Sequence, residues 1–150
     1  MSLIFSRSCE YALQSIIYLA AQPPGKPSLQ RDISKALNIP PHFLGKILQS
    51  LTHHEIVSSQ KGKSGGFILN KPADEISLMT VVKITDGDLF LEKCVIGFPG
   101  CDDDNACPLH SQWSAAKKII MQMLKNKHVA ELSEELKTKL DYIAAIQLNE

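Results

Sequence analysis

The residues best equipped for chemistry lie between Cys94 and His110. The pattern Cys94-x6-Cys101-x5-Cys107-x2-His110 gathers three of the four cysteines and places a histidine just beyond the last. Thiolates with an imidazole on a Gly-, Pro- and Asp-rich loop form a soft-ligand set suited to a metal or an iron–sulfur centre. Iron–sulfur clusters usually take four thiolates, with histidine as an attested substitute, so His110 is the first candidate for the fourth ligand. The same four residues also make an ordinary tetrahedral zinc set. Without metal, Cys94, Cys101 and Cys107 can act as a thiol switch. The spacing leaves these three chemistries open, ranked in that order. Asp102, Asp103 and Asp104 are consecutive, which is not the alternating ligand pattern of a calcium loop, so they read as a solvated acidic turn. Cys9 reads as a small buried apolar residue. No nucleophile–base pair has a recognisable spacing, so no catalytic residue is assigned and no enzyme is expected.

A loop of this kind needs a scaffold, and 150 residues are enough for one compact domain with an appendage. No apolar run approaches the ~18 residues of a membrane span, and no signal peptide is recognisable. The expectation is a cytoplasmic protein without a membrane partner, whose thiols stay reduced. Sixteen basic and sixteen acidic residues cancel overall. They are unevenly spread: residues 1–71 carry a net +5 and residues 72–150 a net −5. A basic N-terminal half suits a polyanionic partner.

Leu13, Ile16, Ile17 and Ala20 recur at helical spacing and predict a helix over residues 8–21, stopped by Pro23, Pro24 and Gly25. A second helix is expected after Pro27, with Ser28 as N-cap and Leu29, Ile33, Ala36 and Leu37 inward. Asn38-Ile39-Pro40 ends it, and Pro41 opens a third helix running to about His53. Its buried stripe is Phe43 or Leu44 with Ile47, Leu48 and Leu51. Its outer face holds Pro41, His42, Gly45, Lys46, Gln49 and Ser50. Two short helices joined by a tight turn form a helix-turn-helix, whose second helix fits the major groove. Strands at Ile56 to Lys61 and Phe67 to Asn70, around Gly62-Lys63-Ser64-Gly65-Gly66, add a hairpin wing.

Double-stranded DNA is therefore the expected partner. Lys46 suits guanine acceptors and Gln49 can pair with adenine, with Pro41 and His42 a turn earlier. Arg31, Lys35, Lys61 and Lys63 suit phosphates, with Ser64 and Gly65 at the wing tip. Farther on, a helix over residues 77–86 with Ser77 as N-cap leads through an extended Leu89 to Glu92 into the cysteine loop. Two apolar-striped helices follow, Ser111 to Lys125 and about Val129 to Leu148. They have little core of their own to cover and could pack on a second copy. The expected fold is mainly α with a small β-hairpin: a winged helix-turn-helix plus a long C-terminal dimerisation helix. The division is residues 1–88 for DNA binding, 89–110 for the cysteine loop, and 111–150 for dimerisation and the C-terminal helix.

The order Glu10-Tyr11-Ala12-Leu13, helix-turn-helix, Gly62-x-x-Gly65-Gly66-Phe67 and three spaced cysteines resembles the Rrf-two family of bacterial winged-helix regulators, over roughly residues 3–125. It looks most like the IscR- and NsrR-like members that carry an iron–sulfur cluster. The resemblance implies a homodimeric transcription factor on a palindromic operator. It also implies a cluster, 2Fe-2S before 4Fe-4S, held by Cys94, Cys101, Cys107 and His110, that tunes DNA binding by sensing redox state, nitric oxide or cluster supply. Glu10 stands where NsrR-like members place a carboxylate ligand from the neighbouring subunit, which makes it the alternative fourth ligand. Two departures are visible. The first cysteine gap is one residue longer than usual for IscR-like proteins, and Gly45 replaces their acidic residue, so their DNA sequence preference does not transfer.

Overall fold

The computed structural model describes residues 4–88 and 91–147. Helix α1 spans Arg7–Ala20 and starts at Ser6, whose side chain accepts a hydrogen bond from the Cys9 amide. Ser6 in turn donates its own amide to Asp86 at 2.9 Å and shares a hydroxyl hydrogen bond with the same carboxylate. This clamp ties the first turn of α1 to the end of α4 (Leu78–Asp86). The buried face of α1 is Cys9, Ala12, Ser15, Ile16 and Leu19. Leu13 and Ile17 are only half-buried, so the inward stripe is rotated from the one expected.

Helix α2 (Gln30–Leu37) begins later than expected, and Ser28 is not its N-cap. The Ser28 backbone is engaged elsewhere: its amide donates to the Phe67 carbonyl at 2.9 Å and its carbonyl accepts from the Phe67 amide at 2.8 Å. Leu29 takes the cap position without a side-chain hydrogen bond. The turn after α2 follows the expected chemistry. Asn38 is left-handed at φ 53°, a conformation that asparagine tolerates. Ile39 is buried, and Ser34 donates its hydroxyl to the Ile39 carbonyl at 2.6 Å. Helix α3 (Pro41–His53) then begins with proline at its first position, where no amide is needed. Gln30 donates to the Pro41 carbonyl at 2.9 Å, pinning the start of α2 to the start of α3. Leu44, Ile47, Leu48 and Leu51 face the core.

The hairpin consists of β1 (Val57–Gln60) and β2 (Gly66–Leu69), antiparallel, with Val57 opposite Leu69 and Gln60 opposite Gly66. The Ser28–Phe67 bridge adds the residues before α2 to its edge. Ser77 caps α4, as its position predicts, by accepting from the Thr80 amide. Leu89 and Phe90 lie outside the described residues, while Leu91 and Glu92 form a turn rather than an extended strand.

Helices α5 (His110–Asn126) and α6 (Val129–Gln147) differ in what they cover. Val129 donates its amide to the Ile76 carbonyl and is fully buried in the main core with Ile16, Ile33, Leu48 and Val81. Helix α6 thus returns onto α1 and α2. Helix α5 packs against α4 through its far end, where Leu124 joins Cys9, Met79 and Val82 in a second apolar cluster. Another face of the helix leaves Ile119 68% and Met123 48% exposed.

Candidate metal centre and nucleic-acid interface

The cysteine loop closes on itself. The sulfurs of Cys94, Cys101 and Cys107 all lie within 4.8 Å of one another. Backbone turns shape the approach: the Gly97 amide donates to the Cys94 carbonyl, and the His110 amide to the Cys107 carbonyl. The Trp113 indole donates to the Lys93 carbonyl at 3.0 Å and fastens the loop's entry to the first turns of α5. Cys107 sits three residues ahead of His110, so it lies beside the partially positive N-terminus of that helix.

His110 joins the sulfurs. Its Nδ1 lies 3.4 Å from Cys101 Sγ and its Nε2 lies 2.9 Å from Asp103 Oδ1. One ring nitrogen therefore faces the thiol cluster while the other is held by a carboxylate, the arrangement common around metal-bound histidine. Asp103 thereby gains a partner that the consecutive-acid reading did not foresee. Asp102 accepts from the Asn105 and Asp104 amides, which closes the acidic turn and holds its carboxyl below the usual range.

The electrostatics favour anionic sulfur at one position. Backbone hydrogen bonds from Ile96, Phe98 and Gly97, with a contribution from Cys101, lower the Cys94 thiol to about 7. At Cys101 the Cys107 backbone favours the thiolate, but desolvation and the two neighbouring thiols outweigh it and raise the pKa. Lys93 and Lys117 line the same small cavity together with Glu92. The donor set and its compactness fit a thiolate-bound metal or cluster. Cys9 stands apart: it is fully buried between α1 and α4, and burial pushes its thiol up to about 11. Glu10, the other candidate ligand, sits on the first turn of α1 with its carboxylate 3.3 Å from the Arg7 guanidinium.

On the opposite part of the chain, Arg31, Lys35, Pro41, His42, Lys46, Gln49, Lys61, Lys63 and Ser64 are all exposed. Arg31 lies 3.6 Å from Asp32. Gly65 is buried in the wing turn, where a Cβ would come within 2.3 Å of the Gln60 carbonyl oxygen. It shapes the turn that presents Lys63 and Ser64. Helix α3 and the wing form one surface, with Gly45, Gln49, Thr52, His53, Ser59 and Phe67 lining the shallow groove between them. The sequence pattern left Phe43 and Leu44 as alternatives for the core, and the structure buries Leu44 while leaving Phe43 on the surface.

Comparison with known proteins agrees with this architecture. A protein of Aquifex aeolicus whose name assigns it provisionally to the HTH-type transcriptional regulators is 30% identical over 132 residues, 87% of this chain and 91% of that protein. The structure of CymR, described as the global cysteine regulator of B. subtilis, superposes with a TM-score of 0.75 at 20% identity, covering 89% of this chain and 98% of CymR. The IscR of T. potens superposes with a TM-score of 0.71 at 21% identity, covering 90% and 89% of the two chains. These two likenesses establish the winged-helix fold. Residues 5–135 match the family profile described as Rrf2, iron-dependent transcriptional regulator. The chain therefore belongs to the Rrf2 (Rrf-two) family, whose members are transcriptional regulators rather than enzymes and bind DNA through a winged helix.

Proposed function

We propose that this chain is a homodimeric regulator of a palindromic operator, and that Cys94, Cys101, Cys107 and His110 hold an iron–sulfur cluster of 2Fe-2S type. The observation that carries this reading is the convergence of three sulfurs within 4.8 Å, with the His110 ring 3.4 Å from one of them. When bound, the cluster supplies an iron centre that responds to oxidants, nitric oxide or cluster supply. The protein's own part is to hold and orient. The three thiolates grip, and Asp103 turns His110 so that Nδ1 faces the sulfurs. Glu10 from a second copy is the alternative fourth ligand.

The loop is joined to the DNA-binding half by packed side chains. It enters α5 at His110, and α5 is rooted by Leu124 against Cys9, Met79 and Val82 of α1 and α4. A change in the loop thus has a contiguous route to the first helix of the winged domain. The exposed Ile119 and Met123 of α5 form the proposed pairing face of the dimer. The proposed setting is cytoplasmic, where thiols stay reduced, and no described helix is long and apolar enough to cross a membrane.

One observation favours zinc as a second reading. Three sulfurs around a single tetrahedral ion with ~2.3 Å bonds lie about 3.8 Å apart, which three sulfurs within 4.8 Å of one another can meet. Anaerobic purification separates the two readings. Red-brown protein with matching iron and inorganic sulfide supports the cluster; colourless protein with one zinc per chain replaces it with a structural site. Colourless, zinc-free protein that loses two thiols on mild oxidation leaves the thiol switch.

For the DNA interface, Lys61 and Lys63 are assigned to phosphates. Their joint replacement by alanine is expected to weaken binding to all duplexes alike. The slope of log K against log salt should become shallower by about 0.9 for each phosphate contact removed. Titrations at several salt concentrations measure this, and a loss confined to one base position contradicts the assignment.

A further inference from the structure

Phe43 is the large apolar side chain on the described surface of α3. Its neighbour Leu44 is fully buried, while Phe43 is 48% exposed at the third position of the helix. Its ring is packed against His42, with centroids 4.3 Å apart and planes tilted by 38°. Lys46 follows three residues later, so the two side chains share a ridge of the helix.

From this placement we infer that Phe43, steadied by His42, reads the 5-methyl group of a thymine in the major groove. The inference rests on α3 being the recognition helix, and it adds the base chemistry that one of its residues selects. The N-terminal residues of such a helix meet base edges. A phenyl ring has no hydrogen-bonding group to offer there, and the thymine methyl is the apolar feature of the major-groove edge. Contact with His42 restricts the ring before binding, so less side-chain freedom is lost on docking.

The surroundings point to nucleic acid as the occupant rather than an apolar protein groove. Helix α3 carries no acidic residue; Lys46 is exposed on it, and Arg31, Lys35, Lys61 and Lys63 are exposed on the segments around it. The acidic residue of α2, Asp32, lies beside Arg31. A polyanion that also offers apolar methyl groups matches this mixture of charge and aromatic surface.

The test uses the full chain and duplexes that it selects from a random-sequence palindromic pool. Each thymine of a selected duplex is replaced singly by deoxyuridine, which lacks only the methyl. Wild-type protein is expected to lose about fourfold in affinity at one thymine per half-site, the scale of one buried methyl. Phe43→Ala should bind the thymine and deoxyuridine duplexes equally at that position, and Phe43→Leu should fall between. Because Phe43 belongs to neither apolar cluster of the core, both variants should stay folded, with urea midpoints close to that of the wild type. Wild-type indifference to every deoxyuridine, or undiminished sensitivity in Phe43→Ala, overturns the inference while leaving α3 as the recognition helix. Failure of the full chain to select any duplex overturns the recognition-helix reading and the inference with it.

Discussion

Cys101→Ala protein, purified anaerobically, is expected to retain almost no metal at the loop, whereas Cys9→Ala keeps the full complement. Cys101 stands at the middle of the site. Its sulfur lies within 4.8 Å of both other thiols and 3.4 Å from His110. A structural zinc in a four-ligand site contributes roughly 10–16 kcal/mol, or about 3 kcal/mol per ligand, so one lost thiolate weakens binding about a hundredfold or more. An iron–sulfur cluster held by the same thiolates would be lost in the same way. Cys9 has no part in this, since it is enclosed by Met79, Val82 and Leu124. Iron, sulfide and zinc analysis of the two variants decides the matter. Equal metal content in both would remove the loop as the metal centre. The helical circular-dichroism signal should be unchanged in Cys101→Ala, because the core residues come from elsewhere in the chain.

Gly66→Ala is expected to loosen the wing from the rest of the domain. Gly66 has φ +138°, a region that side chains rarely enter, and a Cβ there would lie 2.4 Å from the Ser28 carbonyl oxygen. The clashing atom is backbone and cannot swing away. Relief requires breaking the Ser28–Phe67 pair, whose two hydrogen bonds measure 2.9 and 2.8 Å. Backbone strain of about 1–3 kcal/mol and the lost pairing together give an expected destabilisation of about 2–4 kcal/mol. Gly62 offers the contrast. Its φ is +107° but nothing lies within 4 Å of the added Cβ, so Gly62→Ala should cost about 1 kcal/mol from strain alone. Urea denaturation of the two variants measures the difference, and equal midpoints would show that the bridge to Ser28 does not hold the wing. Detaching the wing from α2 should also lower DNA affinity, since Lys61 and Lys63 would lose their position relative to α3.

Much of this architecture follows from local chemistry. Pro41 at the start of α3, Asn38 in a left-handed turn and Ser77 as the cap of α4 each act within a few residues, so their effect is readable from neighbours in the chain. The helix-turn-helix, the glycine-built wing and the spacing of Cys94, Cys101, Cys107 and His110 are legible for the same reason. The charge contrast between the halves is additive along the chain and needs no fold to be counted.

What the tertiary structure alone decided involves partners far apart in sequence. Ser28 is a plausible cap by its local context, yet a backbone pairing with Phe67 claims it and delays α2. Helical periodicity left Phe43 or Leu44 for the buried stripe; the packing of α3 buried Leu44 and turned Phe43 outward. The return of α6 onto α1 depends on Val129 meeting Ile76, more than fifty residues away. In the cysteine loop, residue types marked the ligand set, but only chain folding carried Asp103 to the far side of the His110 ring and aimed its other nitrogen at Cys101. Local propensities act through adjacent torsions and therefore survive in the linear pattern. The choice among competing long-range contacts is made by the energy of the whole packed chain, which no single segment contains.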